Sequence, residues 1–241
     1  MVNYRNMKRP HFADNEIYHV YNRGVEKRDI FRDDADRLRF IHDLFEFNDR
    51  DAAFNVQYYF NKQSMEVQPQ YIKYNERKPR KLLVEILAFC LMPNHYHLLL
   101  RQRSSKGITQ FMQKLGTGYT MYFNKKYERV GSLCQGRFKA VHVNQEAHFI
   151  HIPYYIHLNP LDLIAPEWRD REIKNLDKAI KFLENYRWSS YLDYIGKKNF
   201  PSVTQRGFLL RFFEGPKEYR KSMLNWLKEL DVEGMKDLLL E

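Results

Sequence analysis

The chain has 241 residues, 44% of them hydrophobic and 15% aromatic, enough apolar material for a packed core, which excludes an intrinsically disordered protein. Its 40 Lys+Arg against 30 Asp+Glu leave a net charge of +10, which favours an anionic partner such as nucleic acid. The longest apolar run, 82–100, is broken by Glu85, Asn94 and two histidines, so no membrane span is expected, and Cys90 and Cys134 have no ligand spacing, as in a reducing cytoplasm.

In chain order, EIYHVYNRG (16–24) is rich in aromatic and β-branched residues and ends at a glycine, which predicts a strand. DDADRLRFIHDLFEFN (33–48) opens with acidic residues and repeats Leu38, Ile41, Leu44 and Phe45 at helical spacing. Residues 49–80 are polar and irregular and read as an insertion, with a short hairpin at VQYYF and QYIKY. LLVEILAFCLMPN (82–94) and HYHLLLRQR (95–103) form two strands that turn at Pro93-Asn94, where proline fixes φ and asparagine tolerates the turn.

The stretch 104–130 predicts a helix with a serine cap and an apolar stripe through Ile108, Phe111, Met112, Leu115, Tyr119, Tyr122 and Phe123. GRFKAVHVNQ (136–145) predicts another strand, and EAHFIHIPYYIHLNP (146–160) a helix. The order β-α-β-β-α-β is that of the split βαβ, ferredoxin-like sandwich: an α+β fold whose antiparallel sheet carries helices on one face and leaves the other open to a further, tyrosine-bearing helix. The tail from Phe200 is amphipathic and helical, so residues 1–165 read as one domain and 166–241 as a helical extension packed on it.

His95 and His97 stand at i and i+2 of a predicted strand, so both leave one face while Tyr96, Leu98 and Leu100 leave the other. At this point two readings stand: ligands of one metal ion, or two polar residues on a half-wet sheet. In the helix that follows, His148, His151, Tyr155 and Asn159 recur at i, i+3, i+7 and i+11 along one face. If that helix crosses the sheet, Tyr155 comes near the histidine pair, and the Asn159 carboxamide can act as a further donor. Clusters of basic residues beside aromatics suit phosphates and stacked bases, or else are solvated surface.

Taken together, IYHVYNRGVEKRDIF (17–31), LMPNHYHLLL (91–100), SLCQGRFKA (132–140), YYIHLNP (154–160) and YRWSSYLDY (186–194) resemble the landmarks of the HUH single-tyrosine transposases, and most of all the REP-associated tyrosine transposases. The resemblance implies a metal-dependent endonuclease and strand transferase that cuts single-stranded DNA at hairpin-forming sequences through a covalent 5′-phosphotyrosine. It implies Tyr155 as nucleophile, His95, His97 and Asn159 as ligands of Mg²⁺ or Mn²⁺, and His151 as an auxiliary group. Arg23, Arg137 and Lys139 are the candidates for DNA backbone contacts, and the N-terminal YRNMKRPHF for reaching toward the DNA. A cytoplasmic, nucleoid-associated monomer or homodimer is expected. The alternative is a catalytically inactive protein that binds hairpins on the same fold.

Overall fold

A computed structural model describes residues 10–51, 57–61, 63–64, 66–70, 80–170 and 173–229. Four strands, β1 (Ile17–Arg23), β4 (Val84–Met92), β5 (His95–Gln102) and β6 (Lys139–His142), pair in the order β4-β5-β1-β6. Every neighbour is antiparallel. With α1 (Asp34–Glu46) between β1 and β4, and α2 (Gly107–Lys126) between β5 and β6, this is the split βαβ arrangement expected from the sequence.

Local chemistry sets the elements. Asp33 caps α1, its carboxylate accepting from the Asp36 amide at 2.9 Å. The stretch 104–130 is helical only from Gly107, and its cap is not a serine: Lys106, at φ 59°, precedes the helix, and the Ser104 carbonyl accepts the Gly107 amide at 2.8 Å. Strand β6 covers four residues of the ten expected. Between α1 and β4, β2 (Gln57–Asn61) pairs with β3 (Glu66–Gln70). The hairpin read from the sequence thus exists, but its second strand lies four residues earlier than QYIKY, whose residues 71–74 fall outside the described ones.

Two cores share the sheet. Val20, Ile86, Phe89, Leu91, Leu98 and Leu100 face α1 and α2, where they meet Phe40, Leu44, Phe111 and Leu115. Ile17, Ala88, Cys90, Met92 and Leu99 face the other way, onto α3 (Glu146–Leu158). Removing a Leu or Phe side chain of this size from water contributes about 1.5–3 kcal/mol. The second core also takes in Trp168, Ala179 and Leu183 of α4 (Leu176–Leu183), Tyr191 and Tyr194 of α5 (Tyr191–Tyr194), Leu209 of α6 (Gly207–Phe212), and Tyr219, Met223 and Trp226 of α7 (Pro216–Glu229). The residues read as an extension therefore form part of a core. No helix among the described residues is long and apolar enough to cross a membrane.

Candidate active site

The site lies on the α3 face of the two central strands. The register sets His95 opposite Arg23 and His97 opposite Tyr21 on β1, with Met92 and Cys90 opposite them on β4. Strand periodicity then puts both imidazoles on one face, their ring centres 5.0 Å apart and nearly perpendicular. The Nδ1 of His95 lies 2.6 Å from the Asn94 carboxamide oxygen. An oxygen only accepts, so Nδ1 donates, and in the neutral imidazole the lone pair is then on Nε2. His97 Nδ1 lies 2.9 Å from Nε2 of His19, two residues before Tyr21 on β1.

Helix α3 brings Tyr155 over this pair. Its ring stands edge-on to His97 at 5.7 Å and to His19 at 6.0 Å, and only 1% of the residue is exposed. One turn later Asn159, fully buried, donates to the Tyr155 carbonyl at 2.8 Å, closing the end of the helix. From a 3₁₀ turn at Pro166–Asp170, Arg169 reaches back: its Nη1 donates to the Tyr155 hydroxyl at 3.2 Å and its Nη2 to the Asn159 carboxamide oxygen at 3.0 Å. Asp162 holds the guanidinium from Nε and Nη2 at 2.9 and 2.7 Å, and the Trp168 indole donates to the same carboxylate at 2.6 Å.

The structure therefore gathers His95, His97, Tyr155 and Asn159, and it spreads the remaining candidates around them. His151 stacks on Trp226 of α7 at 5.5 Å and lies near Tyr154, on the side of α3 turned to the C-terminal helices. Lys139 is exposed, with its ammonium 5.8 Å from the Tyr21 ring centre on the site's own face. Arg23 ends β1, its carbonyl accepting the Gln135 amide at 2.8 Å. Arg137 lines a cavity of about 530 Å³ that includes Tyr96, Thr117 and Phe138, on the α2 side of the sheet. Of YRNMKRPHF only the last residues are described; there Phe12 packs edge-on against Tyr18 at 4.9 Å.

Two residues of the site, His19 and Arg169, escaped the sequence reading. Period-two spacing places His19 on the face of Tyr21, but only the pairing of β1 with β5 brings it to His97. Arg169 carries no local signal.

The donor chemistry suits a divalent ion at the two imidazoles: the His95 lone pair sits on Nε2, and His97 presents the same nitrogen in the tautomer that donates to His19. Among the described residues no three His, Cys, Asp or Glu side chains gather as a metal site. The Asn159 oxygen is less suited, since a cation bound there would stand beside the Arg169 guanidinium.

Fold and site together define an α+β protein in which a histidine pair on a central strand faces a tyrosine on a covering helix. Residues 53–159 match the family described as transposase, IS200-like. All four gathered residues lie within this matched segment, and the match begins inside the stretch read as an insertion. A solved structure, that of a REP-associated tyrosine transposase bound to a REP hairpin, is similar over 82% of this chain and 90% of that chain, at 12% identity and a TM-score of 0.49. No curated protein matches the sequence.

Proposed function

We propose that this protein cleaves and rejoins single-stranded DNA at hairpin-forming sequences, with Tyr155 as the nucleophile. The observation that carries the reading is the placement of the Tyr155 ring 5.7 Å from His97, within a segment that matches the IS200-like transposases. The Tyr155 hydroxyl attacks phosphorus, the Oη–P bond forms and the P–O3′ bond breaks. The phenol gives up its proton and the departing 3′-oxygen takes one up, leaving a 5′-phosphotyrosine and a 3′-hydroxyl. Attack by a 3′-hydroxyl on the phosphotyrosine reverses these steps and joins the strands without an external energy source.

A phenol with an ordinary pKa of about 10 is a weak nucleophile at neutral pH, so orientation and charge must assist it. His95 and His97 would hold Mg²⁺ or Mn²⁺, which when bound neutralises charge on the non-bridging phosphate oxygens. Asn159 closes the turn of α3 that carries Tyr155, its carboxamide donating to the Tyr155 backbone carbonyl. Arg23 and Lys139, on the same side of the sheet, are suited to backbone phosphates.

The test is intact-mass spectrometry after incubation with single-stranded hairpin DNA, with Mg²⁺ or Mn²⁺ and with EDTA, beside Tyr155→Phe and His97→Ala. A metal-dependent DNA adduct that disappears in Tyr155→Phe is expected. Tight hairpin binding with no adduct in either metal would favour the catalytically inactive binding protein instead.

A further inference from the structure

We infer that Arg169 is a catalytic residue, holding the Tyr155 hydroxyl in its attacking position and supplying positive charge to that oxygen as it attacks and leaves. The inference rests on the reading of Tyr155 as the nucleophile. Arg169 lies outside the segment 53–159 and comes from the turn at Pro166–Asp170.

Three observations carry it. First, the guanidinium is oriented by groups that do not touch the reacting atom. Asp162 accepts from Nε and Nη2, and its carboxylate is itself fixed by the Trp168 indole at 2.6 Å. A carboxylate that takes the Nε/Nη2 edge of the planar fork leaves Nη1 for another acceptor, and Nη1 is the nitrogen that donates to Tyr155. Second, the same guanidinium donates to Asn159, one turn after Tyr155 at the end of α3, so it ties together the nucleophile and the residue that caps its helix. Third, the geometry sets the proton inventory. Because Arg169 donates, the phenol oxygen is the acceptor in this bond, and its own hydrogen is not the one shared with the guanidinium.

The consequence differs between the two directions of the reaction. On cleavage, Oη gives a lone pair to phosphorus and loses its proton while the guanidinium keeps its hold. On rejoining, the P–Oη bond breaks and the electron pair returns to Oη, where a charge-assisted hydrogen bond is strongest.

The test measures single-turnover adduct formation by the full chain with excess hairpin DNA and Mn²⁺, alongside hairpin affinity and thermal unfolding. In Arg169→Ala the adduct rate should fall on the order of 100-fold while hairpin affinity stays at the wild-type level. Arg169→Lys, which keeps the charge and the ion pair with Asp162, should recover part of the loss. Guanidinium added at non-denaturing concentration should accelerate Arg169→Ala but neither wild type nor Tyr155→Phe. If Arg169→Ala fails to fold, Arg169→Lys against Arg169→Gln gives the same comparison of charge. A wild-type rate in Arg169→Ala overturns the inference and leaves Tyr155 as nucleophile. A loss that neither lysine nor guanidinium restores also overturns it, since the role is then structural. No adduct in the wild-type protein overturns the reading of Tyr155 itself.

Discussion

His19 and His97 meet across β1 and β5, Nε2 to Nδ1 at 2.9 Å, with their rings nearly parallel. A histidine that holds a metal is oriented by what its second nitrogen touches, and for His97, the ligand proposed above, that partner is another imidazole. His19→Ala should lower metal-dependent adduct formation about 10- to 100-fold by releasing the His97 ring. His19→Gln, which can still bond to Nδ1, should recover part of the loss. Mn²⁺ affinity by calorimetry and adduct yield should fall together; an unchanged affinity would assign His19 to packing.

Tyr154 and Tyr155 are adjacent, yet they occupy different surroundings. Tyr154 lies among Phe213, Tyr219 and Trp226, and burial pushes its phenol up to about 12. Tyr154→Phe should keep full adduct formation and cost about 0.5–1.5 kcal/mol of stability. Tyr155→Phe should lose the adduct. An adduct mapped by peptide mass to Tyr154 would reverse the assignment.

His157, fully buried, bonds to the Tyr219 hydroxyl at 2.6 Å and to the Ser190 hydroxyl at 2.8 Å. Burial pushes its imidazole from 6.5 down to about 3, so the folded protein keeps it neutral. Below about 6.5 the unfolded chain binds a proton that the folded state refuses. Stability should therefore fall as pH drops from about 6.5 toward about 3, with this group contributing up to about 1.4 kcal/mol per pH unit. Urea unfolding from neutral pH downward should show a shallower slope in His157→Gln; equal slopes would refute the assignment.

Two glycines of α2 should respond in opposite ways to alanine. A Cβ at Gly107 would fall 2.2 Å from the Leu83 carbonyl oxygen, and backbone cannot step aside there. At Gly116 it would meet nothing within 4 Å. Thermal or denaturant unfolding should show Gly107→Ala destabilised by about 1–3 kcal/mol and Gly116→Ala stabilised by about 0.5–1 kcal/mol.

What the sequence revealed of this site follows the range of its periodicities. His95 and His97 share a face because they are two residues apart in one strand, and Tyr155 and Asn159 because they are one turn apart in one helix. The crossing of α3 over β5 is a condition that the sequence leaves open and that the structure meets, with Tyr155 edge-on to His97. His19 and Arg169 were illegible because strand order brings one to the site and a chain reversal after α3 brings the other. The start of α2 was misplaced for a related reason: Ser104 is a favourable cap, but the chain enters the helix through Lys106 in the left-handed region.

Strands β4 and β5 are walls of both cores, with Phe89 and Leu98 on one side and Cys90 and Leu99 on the other. Neither side can melt and leave the other intact, because losing either would strip water-excluding cover from the same two strands. Unfolding should thus be a single cooperative event, and the C-terminal helices belong to the same melting unit as the strands that carry the histidines.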